Sequence, residues 1–233
     1  MAAIYLIRHG QASFGADNYD QLSELGVQQA CVLGKAFAQR LPNPDVILSG
    51  DMERHQQTMT HVLAQGITPY QPPQSVCAWN EFDHQKILAA YRAEFATPQG
   101  VKSYLSTQKD PQRAFMALFL ASIERWLSGQ KVEGLETWQE FQQRVISEVQ
   151  QLSEKLVKQE LKSAVVFTSG GPISVIMMQQ LGLPKTSLMQ VNRMLVNCGV
   201  TKLVVSRGKV YLSSSNEHSV FDSQINRHLI TYK

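Results

Sequence analysis

An uncharged apolar run, Ala2-Ala3-Ile4-Tyr5-Leu6-Ile7, ends abruptly in Arg8-His9-Gly10-Gln11. A guanidinium forks two parallel donors onto phosphate oxygens, and a neutral imidazole beside it is a nucleophile at neutral pH without a metal or a separate base. Gly10 would let the backbone approach a ligand closely. These types in this order suit a phosphoryl site, a reading that stands level, on the tripeptide alone, with a strand-end Arg and His facing solvent. A second cation follows a second apolar run: Ser49-Gly50-Asp51-Met52-Glu53-Arg54 puts Arg54 near the start of a helix, whose free N–H groups favour an anion. The bland use of Arg54 is a surface pair with Glu53 or Asp51. Further on, Asn80-Glu81-Phe82-Asp83-His84 interleaves acids and a histidine with an aromatic.

The elements that must position these residues follow from periodicity and punctuation. The run before Arg8 reads as a buried strand, and in open α/β sheets ligands bind beyond the carboxyl ends of the strands. Ala12 to Asp20, with Ser13, Gly15, Asp17 and Asn18, has the composition of a loop. Ser23 can cap a helix in which Val27, Ala30, Cys31, Gly34, Phe37, Ala38 and Leu41 recur at helical spacing until Pro42 and Pro44 stop it. Asp45 to Ser49 is a second strand, parallel to the first through a right-handed crossover. If the two strands are neighbours, Arg54 shares a sheet edge with Arg8 and His9. Residues 66–80, with three prolines, read as a connector that reaches a brief edge strand at Val76-Cys77-Ala78-Trp79.

Residues 85–135 are irregular. Ile87, Leu88, Tyr91 and Phe95 suggest a helix that Pro98 and Gly100 break, and Asp110-Pro111 opens another that runs through Phe115, Ile123 and Trp126 to Gly129. A cap or insertion at about 83–133 is expected over the site, inside one domain spanning 1–233. Thr137 and Glu140 form a capping box for a long helix with Trp138, Phe141, Val145, Leu152 and Leu156 inward. Ala164 to Thr168 is a third buried strand, and Ser169-Gly170-Gly171-Pro172 turns it into a helix through a stretch rich in backbone donors. Cys198 to Ser206 and Lys209 to Ser214 read as a terminal hairpin around Arg207-Gly208.

Composition bounds the function. With 233 residues, 43% hydrophobic and 18% charged, the chain can bury a large core. Lys and Arg number 22 against 19 acids, and a dispersed net charge of +3 gives no reason to expect nucleic acid or a membrane surface as partner. Cys31, Cys77 and Cys198 are odd in number and far apart, which suits free thiols in a reducing compartment. A strand that starts almost at Met1 and the lack of an apolar stretch near the roughly 20 residues of a membrane helix lead to the expectation of a cytoplasmic protein.

Six stretches in order, Arg8-His9-Gly10, Leu22 to Gly26, Ser49 to Arg54, Asn80 to Asp83, Gly134 to Thr137, and Asn197-Cys198-Gly199-Val200-Thr201, make the chain resemble the histidine phosphatase superfamily, the phosphoglycerate mutase-like proteins. The resemblance covers nearly the whole length outside the insertion. It implies a three-layer α/β/α sandwich whose mainly parallel central sheet has an antiparallel edge and a helical cap. It also implies a metal- and cofactor-independent reaction through a phosphohistidine. His9 would be the nucleophile, Arg8 and Arg54 would bind phosphoryl oxygens, and Glu81 would protonate the leaving alcohol and then activate water. Gln11, Ser13, Ser169 and Gly170 would complete the phosphate contacts.

The chain departs from the family pattern after the third strand, where the family presents a second His followed by Gly and this sequence has Ser169-Gly170-Gly171. Losing one such donor typically costs about 2.7–4 kcal/mol, roughly 10²–10³ in rate. His84, His55 and His218 are the candidates to fill the gap, with His84 favoured because it follows a residue assigned to the pocket. Another departure is Gly15, with no Asn at that loop position. The expected function is hydrolysis of a small phosphorylated substrate. The alternative is a weak or inactive phosphate-binding protein. A mutase is less expected, because Glu81 is followed by Phe82-Asp83-His84 and not by basic residues. A homodimer is left open.

Overall fold

The computed structural model describes residues 1–13 and 20–232. Its centre is a six-stranded sheet built from β1 (Ala2–Arg8), β2 (Val46–Ser49), β3 (Gln74–Ser75), β4 (Ser163–Thr168), β5 (Val200–Ser206) and β6 (Lys209–Glu217), in the order β3-β2-β4-β1-β5-β6. β1 and β2 both pair in parallel with β4, β3 pairs in parallel with β2, and β5 and β6 form the antiparallel edge. β1 and β2 are thus parallel, as expected, but not neighbours. β4 lies between them, because its six residues are all buried and only a central position covers both of its faces.

Helices cover both faces, giving three layers. α1 (Glu24–Arg40) and α2 (Glu53–Leu63) pack Leu33, Phe37 and Val62 on one face, against Tyr5, Ile7, Val165 and Phe167. On the other lie α6 (Trp138–Lys158), α7 (Gly170–Leu181) and α8 (Leu188–Met194), against Ile4, Leu6, Ala164 and Val166. β1, β2 and β4 divide their side chains between the two cores in alternation. That is why the sequence shows unbroken apolar runs there.

Capping follows the local chemistry. Ser23 Oγ accepts from the Gly26 N–H at 3.1 Å, and Thr137 and Glu140 form the reciprocal box that starts α6. Arg207 and Gly208 both take positive φ, at 51° and 72°, the two-residue turn that suits the twist of the β5–β6 hairpin. The expected edge strand at Val76–Trp79 is displaced: β3 is Gln74–Ser75, and Cys77–Trp79 is a 3₁₀ turn that buries Trp79 completely. The indole has to enter the core, which a flat edge strand would not allow.

Between β3 and β4 come α3 (His84–Tyr91), α4 (Pro98–Ser106) and α5 (Pro111–Leu127). Pro98 does not break a helix but opens α4 behind the Thr97 cap, and Pro111 opens α5 behind Asp110. Gly129, at φ 87°, follows the end of α5. This segment has a small core of its own, Leu88, Phe95 and Leu118. The segment also enters the main core through Ile87, Ile123, Trp126 and Leu127, and the Trp126 ring lies 5.1 Å from Phe82 and 5.7 Å from Phe141. No described helix is long and apolar enough to cross a membrane, and all three cysteines are free thiols.

Candidate active site

β1 delivers Arg8 and His9 to the carboxyl edge of the sheet, where His9 is held on every side. Its N–H donates to the Thr168 carbonyl at 2.9 Å, and its carbonyl accepts from Asn197 Nδ2 at 3.0 Å and the Cys198 N–H at 3.3 Å. The next N–H, of Gly10, donates to Thr58 Oγ1 at 3.0 Å, and that hydroxyl donates to the Arg54 carbonyl at 2.7 Å. One bond thus couples the loop after β1 to the first turns of α2. Gly10 has a reason within the fold: a Cβ there would lie 2.6 Å from the Gly26 carbonyl oxygen, so glycine admits the close approach of α1.

The His9 ring has a defined tautomer. Nδ1 lies 2.7 Å from the Gly10 carbonyl, which can only accept, so Nδ1 carries the proton and Nε2 the lone pair. Burial, then the charge of Arg54, the neighbouring His55 and the charge of Arg8 push the imidazole well below its usual pKa. His9 is therefore a neutral ring whose Nε2 has no hydrogen-bond partner among the described residues.

Arg54 is 5% exposed, and its Nη1 lies 2.5 Å from Asp20 Oδ1. The partner is neither Glu53 nor Asp51, as the sequence suggested, but a carboxylate of the preceding loop, whose Oδ2 accepts from the Glu53 N–H at 2.8 Å. Asp20 thus orients the guanidinium and caps α2. Arg8 is buried beside His9, with Nη1 donating to the Leu195 carbonyl and both Nη atoms 3.4 Å from the Tyr232 carbonyl.

Glu81 meets the N-terminus of α7. Its Oε2 accepts from the Gly171 N–H at 3.0 Å and its Oε1 from the Phe82 N–H at 3.2 Å. A Cβ on Gly171 would lie 1.9 Å from Oε1, so only glycine lets the carboxyl group approach this closely. Burial pushes the Glu81 pKa up, against the Gly171 N–H, Arg54, the Phe82 N–H and Arg8, which pull it down. His9 and Glu81 lie in the field of the same two guanidinium groups.

Ser169, fully buried at the end of β4, lies between the strand ends that carry His9 and α2. Its Oγ is 2.6 Å from His55 Nε2, and the His55 and His9 ring centroids are 5.7 Å apart. Of the three histidines considered as a substitute for the missing ring, His55 is the one bonded to Ser169. His84, favoured from sequence, opens α3 behind the Asp83 cap, with its pKa lowered by burial and by Arg54. His218 turns Nδ1 to the Asn216 carbonyl at 2.5 Å.

The remaining sequence candidates divide. Gly170 is fully buried in the first turn of α7, against Asn192. Gln11 Oε1 accepts from Ser23 Oγ at 2.9 Å, which ties the loop to the α1 cap and fixes the side chain whose NH₂ is its donor end. Ser13 is half-buried and its N–H donates to the Gln21 carbonyl at 2.8 Å. Gly15, Asp17 and Asn18 lie outside the described residues. Sequence reasoning missed Asp20, Thr58 and Asn197. Thr58 stands four residues after Arg54 on one helix face, a signal that could have been read. Asp20 left no such signal. Among the described residues, no cluster of three or more His, Cys, Asp or Glu is arranged to hold a metal ion.

Comparison with solved structures finds the same fold in three bacterial proteins. A phosphoglycerate mutase from Bacillus anthracis str. Sterne is 18% identical, with a TM-score of 0.63 and 94% of each chain covered. The α-ribazole phosphatase from Shigella flexneri is 19% identical, with a TM-score of 0.63, 92% of this chain and 96% of that one covered. YhfR from Bacillus stearothermophilus is 19% identical, with a TM-score of 0.67, 94% and 99% covered. No curated protein matches the sequence. The family description "Histidine phosphatase superfamily (branch 1)" matches residues 4–98 and 104–218, a span that includes Arg8, His9, Arg54, Glu81 and Ser169, and the chain belongs to that superfamily.

Proposed function

We propose that the protein hydrolyses small phosphomonoesters through a phosphohistidine on His9. The observation that carries this reading is that a neutral, correctly tautomerised His9 and a carboxyl group of raised pKa, Glu81, share the field of Arg8 and Arg54. In the first step His9 Nε2 attacks phosphorus, the bond to the ester oxygen breaks, and the Glu81 carboxyl gives its proton to the departing alcohol. In the second, the Glu81 carboxylate takes a proton from water as that water attacks phosphorus, the P–N bond breaks, and phosphate leaves. Charge on the transferring group is met by Arg8 and Arg54. The route uses no metal ion or cofactor. The helical segment from α3 to α5 serves as the cap of a single domain and selects the substrate.

A phosphoglycerate mutase is a poorer fit, because Phe82 turns inward onto Trp126 and Phe141 and no basic residue follows Glu81. A phosphate-binding protein without turnover is favoured by Ser169, which carries a hydroxyl and no charge at the end of β4. Incubation with p-nitrophenyl phosphate in the presence of EDTA separates the readings. Turnover that His9→Ala abolishes, with an acid-labile phosphoprotein in the wild type, is the expected result. Equal background rates for both proteins from pH 5 to 8 would end the enzyme reading.

A further inference from the structure

His55 is a fully buried imidazole on α2 that neither step above uses. Its Nε2 lies 2.6 Å from Ser169 Oγ, and its Nδ1 has no hydrogen-bond partner among the described residues. A Cβ on Gly50 would lie 2.3 Å from that Nδ1, so the backbone closes over that side of the ring. Burial and Arg54 hold the ring neutral, so it bears one proton. With the proton on Nδ1 the ring would accept from the Ser169 hydroxyl and keep a buried donor with no acceptor, at a cost of about 1–3 kcal/mol; with it on Nε2 the ring donates to Ser169 and leaves only a lone pair of Nδ1 unpartnered, the lesser penalty. His55 therefore donates to Ser169 Oγ.

The consequence falls on Ser169. Its oxygen accepts from His55, its hydroxyl does not cap α7, and its own hydrogen has no acceptor among the described residues. That hydrogen is left beside His9 at the helix N-terminus. We infer that His55 and Ser169 act as one donor relay, in which His55 Nε2–H orients the Ser169 hydroxyl so that its hydrogen is given to an oxygen of the tetrahedral anion held at His9. Ser169 touches the anion, and His55 is a positioning residue that works through it. The inference rests on the phosphatase reading for its role in turnover, but its geometry also predicts how inorganic phosphate binds.

Two readouts keep the claims apart: the calorimetric affinity of the full chain for inorganic phosphate, and kcat/KM for p-nitrophenyl phosphate. His55→Leu keeps the packing and removes the donor, while His55→Gln keeps an amide N–H within reach of Ser169 Oγ. Expected are losses of about 10²-fold or more in kcat/KM for His55→Leu and for Ser169→Ala, with weaker phosphate binding in both. The double variant should be no worse than the poorer single one, because the two groups make one contact. His55→Gln should recover most of both quantities. His55→Leu matching the wild type, additive losses in the double variant, or His55→Gln as poor as His55→Leu would each overturn the relay. Should His55→Leu not fold, His55→Gln and Ser169→Ala decide the matter by the same comparison. If the wild type binds phosphate through the relay but His9→Ala leaves turnover at the wild-type background, the phosphatase reading fails and the relay stands.

Discussion

At the carboxyl edge of the sheet every polar group of His9 except Nε2 is bonded within the protein, whereas α4 in the helical segment buries no side chain. The two regions are held by different means. The edge is a lattice of directional bonds from four parts of the chain: β4, α2, the Asn197–Cys198 stretch and the start of α7. The segment is held by apolar contacts, Ile87, Ile123, Trp126 and Leu127 in the main core and Leu88, Phe95 and Leu118 in its own. Hydrogen-bonded positions tolerate little displacement, while a thinly packed surface tolerates substitution in many places.

That contrast can be broken at several points. The largest effect after loss of His9 is expected from Glu81→Gln, which keeps the shape but not the proton. An alkyl phosphate should lose about 10²–10⁴ in kcat/KM, and an aryl phosphate, whose leaving group needs less protonation, should lose less. The pH profile checks the assignment. His9, depressed, stays neutral below its ordinary 6.5, and Glu81, raised above 4.5, stays protonated to higher pH than an exposed glutamate. The wild-type profile therefore has an acid limb set by the depressed His9 and an alkaline limb set by the raised Glu81, and Glu81→Gln should remove the alkaline limb and keep the acid one.

Gly171→Ala comes next. The added methyl must move a carboxyl oxygen that would sit 1.9 Å away, and a displacement near 1 Å is expected to cost about 10²-fold in kcat. If kcat is unchanged, Glu81 is not the proton carrier. The smallest effect on the chemistry is expected in the other region. Phe95→Ala should loosen the small core by about 3–5 kcal/mol, seen as faster amide exchange confined to α3–α5, while kcat/KM for p-nitrophenyl phosphate stays nearly constant. A large loss of turnover there would show that the two regions are not separable.

Much of the frame was legible because it depends on near neighbours. The strand before Arg8, the Ser23 cap, the Thr137–Glu140 box, the hairpin at Arg207-Gly208 and the prolines that open α4 and α5 are all effects of a few adjacent residues, even where Pro98 was first read as a stop. His84 was favoured because it follows Glu81 in sequence, and only the fold shows that His55 is the ring bonded to Ser169.

By itself, the sequence determined which residue types stand at the ends of buried strands, and hence that a nucleophilic imidazole, two guanidinium groups and a carboxyl group were available. Only the tertiary structure decided how they pair: β4 between β1 and β2, Asp20 on Arg54, Gly171 under Glu81, and His55 on Ser169, 114 residues apart. The physical reason is that helix caps and apolar periodicity are local free energies, whereas strand order and buried hydrogen bonds depend on which arrangement covers both faces of the sheet at once.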